Sequence, residues 1–200
     1  MTERHGRRAV RSPTTGLLAV VALAMLLSVA ASAQSAEIEG VQFPDSYEVE
    51  GAAFDLSCVG VLRYMVFIKG YVAALYLGKG ATPGNVLGDV PKRLVIHYLH
   101  AIKAEQFAEA TDKGVAGNVD AATFDRLRPH IDQLNRLYED VAVGDQYSLT
   151  YVPGRGTELA LNGHAKGTIA GAEFAAAIFA VWLGPQPLDI SLRDQLLGCS

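Results

Sequence analysis

The chain has 200 residues, 50% of them hydrophobic, with 17 basic and 21 acidic side chains and a formal net charge of −4. Four of the basic residues fall within the first eleven positions, so the remainder is acidic and carries no basic patch. That balance argues against nucleic-acid binding and against electrostatic docking on an anionic membrane.

Arg4, Arg7, Arg8 and Arg11 form a basic start, followed by an apolar run over residues 16–30 and an Ala31-Ser32-Ala33 site. This is the three-part layout of a secretory signal peptide. The run is shorter than the roughly 20 residues that span a bilayer, so cleavage after Ala33 is expected over anchorage, with no stable membrane insertion afterwards. Residues 1–33 are thus read as a signal peptide and residues 34–200 as a single domain, periplasmic or secreted. Cleavage leaves 13 basic and 20 acidic residues, a formal charge of −7. Cys58 and Cys199 are the two cysteines. In an oxidising compartment they can form a disulfide, while their spacing leaves two free thiols equally open.

Along the domain, Val41-Gln42-Phe43-Pro44 and Tyr47-Glu48-Val49 read as a hairpin turning at Pro44-Asp45. An apolar stretch over residues 53–67 precedes a turn at Lys69-Gly70 and a buried strand over 71–77. Residues 82–90 form a turn or short helix. In the strand over 93–100, Leu94, Ile96 and Tyr98 point one way and Val95, His97 and Leu99 the other. Residues 104–119 suit a helix weakened near its end by Gly114 and Gly117. Asp120 caps the next helix, whose apolar face holds Phe124, Leu127, Ile131, Leu134 and Leu137. Pro129 is expected to break it in two. Strands over 146–152, 157–161 and 164–169 are joined by Pro153-Gly154-Arg155-Gly156 and Asn162-Gly163. An apolar helix over 173–183 stops at Gly184-Pro185, and 192–197 is a last short helix. The order gives an α+β fold, an antiparallel sheet with helices on one side.

Four stretches in this order carry a family resemblance: Gly60-Val61-Leu62-Arg63, the run from Lys69 to Leu77, LTYVPGRGTELALNG over 149–163, and AVWLGPQPLD over 180–189. Together they resemble the chalcone-isomerase-like family, in its bacterial exported branch. The resemblance implies an open-faced sandwich, a large antiparallel sheet covered by helices with an apolar cleft between. It also implies one of two roles: intramolecular closure of a chalcone, or binding of a fatty acid in the same cleft.

The enzymes of the family use an arginine, two threonines, a tyrosine and an asparagine. In this chain the matching positions hold Arg63, Tyr71, Phe107, Gly114 and Val181. Only the arginine is kept. Enolate charge needs hydrogen-bond donors where it develops, and Phe107, Gly114 and Val181 supply none, so no catalytic residue is assigned. Arg63 with Tyr71 suits a carboxylate clamp, and Arg63, Tyr71, Phe107 and Val181 are the expected ligand-binding residues. The expected function is non-catalytic binding of a small hydrophobic or amphipathic, fatty-acid-like acid. The alternatives are an intramolecular lyase or isomerase on another substrate, and a partner-binding envelope protein with a collapsed cleft.

Tyr71, Tyr76 and Tyr98 are most simply core residues with hydroxyls satisfied at an edge. Tyr64 and Lys69 read as exposed hairpin residues. His97 and His100 lie on opposite sides of a strand, and no paired-ligand spacing implies a metal or a cofactor.

Overall fold

A computed structural model describes residues 1–2, 35–64 and 68–198. The chain divides into two units, Met1–Ser32 and Ala33–Ser200, and everything below concerns the second. The expected signal peptide and its cleavage site lie outside the described residues, apart from Met1 and Thr2.

Among the described residues the unit has nine strands and four α-helices: β1 Ser35–Ile38, β2 Val41–Pro44, β3 Ser46–Val49, β4 Ala52–Tyr64, β5 Ile68–Gly78, β6 Lys92–Tyr98, α1 Ala104–Asn118, α2 Ala121–Asn135, β7 Gln146–Val152, β8 Gly156–Leu161, β9 His164–Ile169, α3 Ala172–Leu183 and α4 Ile190–Leu197. Strands β3 to β9 form a seven-stranded antiparallel sheet in chain order, and β1 and β2 form a separate two-stranded ribbon. This is the expected α+β open-faced sandwich.

Strand alternation sorts the side chains into two cores. Tyr71, Ala73 and Leu75 of β5 and Leu94, Ile96 and Tyr98 of β6 face the helices. Val72, Ala74, Tyr76 and Val95 face the other way and pack with Phe43 of the ribbon. A register shift between Leu56 and Cys58 inserts Ser57 into β4. Such a bulge inverts the alternation, so Phe54 and Leu56 before it and Val59 and Val61 after it all join the ribbon-side core. Tyr76 donates from its hydroxyl to Pro44 O at 2.9 Å and meets the Tyr47 ring edge-on at 4.9 Å.

Several local expectations give way to packing. Pro44-Asp45 is no hairpin turn: Val41–Pro44 pairs back onto Ser35–Ile38, and Ser46–Val49 pairs with β4. The proline therefore ends one ribbon and starts another sheet. Lys69 and Gly70 lie within β5, where Lys69 pairs with Arg63. Residues 82–90 contain only a 3-10 turn over Pro83–Asn85. Helix α2 runs unbroken through Pro129. Leu127, Ile131 and Leu134 are buried on its inner side while Pro129 is exposed, so water can satisfy the carbonyl that the proline leaves unpaired.

Two glycines set how closely the helices approach. A Cβ at Gly60 of β4 would stand 2.8 Å from Leu192 Cδ1 of α4, and there the Val61 N–H donates to Gln195 Oε1 at 3.0 Å. A Cβ at Gly114 of α1 would stand 2.7 Å from Val181 Cγ1 of α3. Gly114 thus lets the two helices meet, where the sequence marked it as a weak point. Asn118 closes the same junction, donating to Gly114 O at 2.8 Å and Gln186 O at 2.7 Å, and accepting from Gln186 N at 3.0 Å. Cys58 is buried and disulfide-bonded; Cys199, the expected partner, lies outside the described residues.

Lys92 is fully buried at the start of β6. Its Nζ donates to Gly88 O at 2.7 Å and lies over the rings of Tyr151 and Phe179, 4.6 and 5.3 Å from their centroids. Desolvation pulls its pKa down from 10.5 to about 8, opposed by the nearby Asp89 carboxylate.

Two outcomes follow from these contacts. Gly114→Ala lowers unfolding stability by about 1–3 kcal/mol, the usual cost of overpacking, and adding Val181→Ala restores part of it. Chemical denaturation of the two variants measures both. For Lys92, the unfolded chain holds more protons than the folded one between pH 8 and 10.5, so this residue makes stability rise with pH across that window. The difference in stability between wild type and Lys92→Met should therefore change with pH from 8 to 10; a pH-independent difference would refute the assignment.

Candidate functional site

Between the helix-facing side of the sheet and helices α1 and α3 lies a cavity of about 520 Å³. Its sheet wall is set by register. Leu62 of β4 pairs with Tyr71 of β5, and Tyr71 pairs with Tyr98 of β6, so these side chains form a row across three strands. Helix α1 contributes Phe107, Ala110 and Thr111, spaced three and four apart on one face. Helix α3 contributes Val181 and Trp182, and the segment before α4 adds Leu188 and Asp189. The Asp189 carboxylate is already used as the cap of α4, accepting from Leu192 N at 2.6 Å.

All four residues expected from the sequence, Arg63, Tyr71, Phe107 and Val181, line this one cavity. Gly114 does not; Val181 covers it. Arg63 is the exposed member, with half of its side chain accessible. Its guanidinium nitrogen meets Glu39 Oε1 at 3.2 Å, and Lys69 Nζ takes the second carboxylate oxygen. Glu39 sits in the turn between β1 and β2. The Lys69 hydrogen bond and the two nearby cations hold its carboxyl below the usual range. Two cations thus share one carboxylate beside the cavity. Lys69, read from the sequence as a plain surface residue, is part of this group.

The remaining lining is mostly aromatic. Tyr71 and Tyr98 meet edge-on with centroids 5.9 Å apart, and Tyr98 and Phe107 do so at 5.3 Å. Trp182 Nε1 donates to the Tyr71 hydroxyl at 3.1 Å. Thr111 Oγ1 and the Tyr138 hydroxyl are hydrogen-bonded at 2.9 Å. Behind them, the Tyr147 hydroxyl accepts from Glu139 N at 2.7 Å and donates to Glu139 O at 3.2 Å. Burial raises the pKa of Tyr98, Tyr138 and Tyr147, so all three stay protonated at neutral pH and can donate.

Tyr98, Tyr138, Thr111, Trp182 and Glu39 were not singled out from the sequence as site residues. The alternation of β6 did place Tyr98 on the helix side, and the Phe107–Thr111 spacing was available. Glu39 and Tyr138 lie in turns, where no periodicity marks a direction. The expectation that Tyr98 satisfies its hydroxyl at an edge does not hold: that hydroxyl has no hydrogen-bond partner among the described residues. Tyr76, by contrast, is satisfied at Pro44, on the opposite face from the cavity. His100 lines the cavity and His97 does not. Among the described residues no cluster of three or more His, Cys, Asp or Glu side chains is positioned to hold a metal ion, and no helix is long and apolar enough to cross a membrane.

This arrangement of curled sheet, four helices and intervening cleft has counterparts. A family model described as chalcone isomerase-like matches residues 35–198. The chain belongs to the chalcone isomerase-like family. Among solved structures, it is similar to a fatty-acid binding protein of Arabidopsis thaliana, with a TM-score of 0.64 at 15% sequence identity. That match covers 82% of this chain and 96% of the other. No curated protein sequence matches the chain. The chalcone isomerase-like fold therefore accounts for the sheet order and the cleft. At this identity the relative speaks for the fold alone.

Proposed function

We propose that this protein binds a small hydrophobic or amphipathic carboxylate, fatty-acid-like in character, in the cleft between sheet and helices, and does no chemistry on it. One observation carries the reading: an apolar, aromatic-lined cavity of about 520 Å³ with an exposed arginine in its wall. The volume falls within the range of small-molecule sites. Arg63 and Lys69 bring two positive charges against Glu39 at this end of the cavity, and the second carboxylate in the wall, Asp189, is engaged as the cap of α4. The guanidinium contacts Glu39 through one nitrogen at 3.2 Å, and its planar fork has further donors to offer a carboxylate. The Arabidopsis relative, named as a fatty-acid binding protein, supports the same class of ligand.

The absence of chemistry is argued from three positions. Phe107, Gly114 and Val181 stand where the resemblance places the enzymes' donor side chains, and none has a hydrogen-bonding group. A phenolate attacking an enone would find no donor at these three positions for the developing charge.

We also propose that residues 1–33 direct export and are removed, giving a periplasmic or secreted protein in which Cys58 pairs with Cys199. N-terminal sequencing of the exported product should then begin at Gln34; a product retaining Met1 would overturn the cleavage.

Trp182 is the single tryptophan of the chain and lines the cavity, so its fluorescence reports occupancy directly. Titration with decanoate should give saturable quenching or a spectral shift. Arg63→Ala should weaken binding about tenfold or more, the scale of a lost charged hydrogen bond. Equal affinity in the two proteins would remove Arg63 as the anchor. Incubation with a chalcone should leave its absorbance spectrum unchanged.

A further inference from the structure

The phenols around the cavity differ in one respect. Tyr71 accepts from Trp182, Tyr138 is bonded to Thr111, and Tyr147 is bonded to the backbone of Glu139. Tyr98 lies among them, 3% exposed, with ring contacts to Tyr71, Phe107 and Tyr147. Its hydroxyl has no hydrogen-bond partner among the described residues, and it lines the cavity. The residue is buried but its hydroxyl is open to the cavity, and a ligand that covered it without bonding to it would leave it unpaired at a cost. A phenylalanine would fill the same place between those rings without that cost, as Phe107 does on the facing helix.

The position of this hydroxyl is also defined. Tyr98 is two strands from Leu62, through the pairs Leu62–Tyr71 and Tyr71–Tyr98. Neighbouring strands lie ~4.8 Å apart, so the row from the Arg63 end to Tyr98 spans roughly 10 Å. The Thr111–Tyr138 hydroxyl pair lines the same cavity.

We propose that the Tyr98 hydroxyl is a specificity contact, and that the ligand is an acid carrying a second oxygen, a hydroxyl or a carbonyl, remote from its carboxylate. This rests on the carboxylate-binding reading above and deepens it. With the carboxylate at Arg63, an extended chain would run across β5 and bring its second oxygen to Tyr98. A plain saturated chain would leave that hydroxyl buried and unpaired.

The test uses Trp182 fluorescence with two probes of equal chain length, decanoate and ω-hydroxydecanoate. Wild type should bind the hydroxy acid about tenfold more tightly. Tyr98→Phe should abolish that preference, and by removing the hydroxyl that a saturated chain leaves unpaired it should bind decanoate at least as tightly as wild type does, since the ring packing is kept. A wild type that binds both acids equally, or prefers decanoate, overturns the proposal without any variant. So does a preference that survives in Tyr98→Phe. If wild type binds neither acid, carboxylate binding itself fails and this inference falls with it. That outcome is distinct from decanoate binding without preference, which sinks only the Tyr98 contact.

Discussion

Strands β5 and β6 and the second half of β4 are buried on both faces, and the rest of the structure depends on that constraint. A strand with two buried faces needs a separate cover on each side. The helices provide one cover and the β1–β2 ribbon the other. Tyr76 illustrates the demand on the ribbon side: a large phenol, fully buried, whose hydroxyl must be met, and Pro44 O meets it. The same alternation turns Tyr71 and Tyr98 to the helices. There the neighbouring side chains are rings meeting at steep angles, and the packing leaves a cavity. The bulge at Ser57 keeps β4 in phase with this division. Without it, the residues on either side of the bulge could not all face the ribbon.

How much of this was legible in the sequence depended on whether the signal was local. The alternation of Leu94, Ile96 and Tyr98 against Val95 and His97 was readable because period two needs no partner to be recognised. The apolar spacing of Leu127, Ile131 and Leu134 was readable for the same reason. Pro44-Asp45 misled because a proline-aspartate pair marks any chain reversal, whether it closes a hairpin or passes between sheets. Pro129 misled because its cost depends on which side of the helix it occupies. That side is settled only once α2 is docked.

The site follows the same division. Arg63, Tyr71, Phe107 and Val181 came from a family resemblance and converge on one cavity. Periodicity alone would have left all of them in the core or on the surface. Glu39 was out of reach because it lies 24 residues from Arg63 in a turn, and nothing local links the two. Tyr98 was placed on the correct face but given the wrong environment. Whether a hydroxyl finds a partner is decided by groups on other elements, here the Thr111 and Trp182 side chains and the Glu139 backbone, each of which is engaged by a different phenol.

The contact between Gly114 and Val181 bears on what such a site can do. It brings α1 against α3 through hydrocarbon at the positions where the family's enzymes carry polar side chains, and so the hydrogen-bonding groups Tyr71 and Tyr98 are borne by the sheet. Stabilising a developing negative charge requires donors that converge on one atom, fixed before the reaction begins. Groups on adjacent strands are spaced by the sheet itself, at ~4.8 Å intervals, so a row of phenols presents its hydroxyls at successive points. A row of this kind suits contact at successive points along an extended molecule.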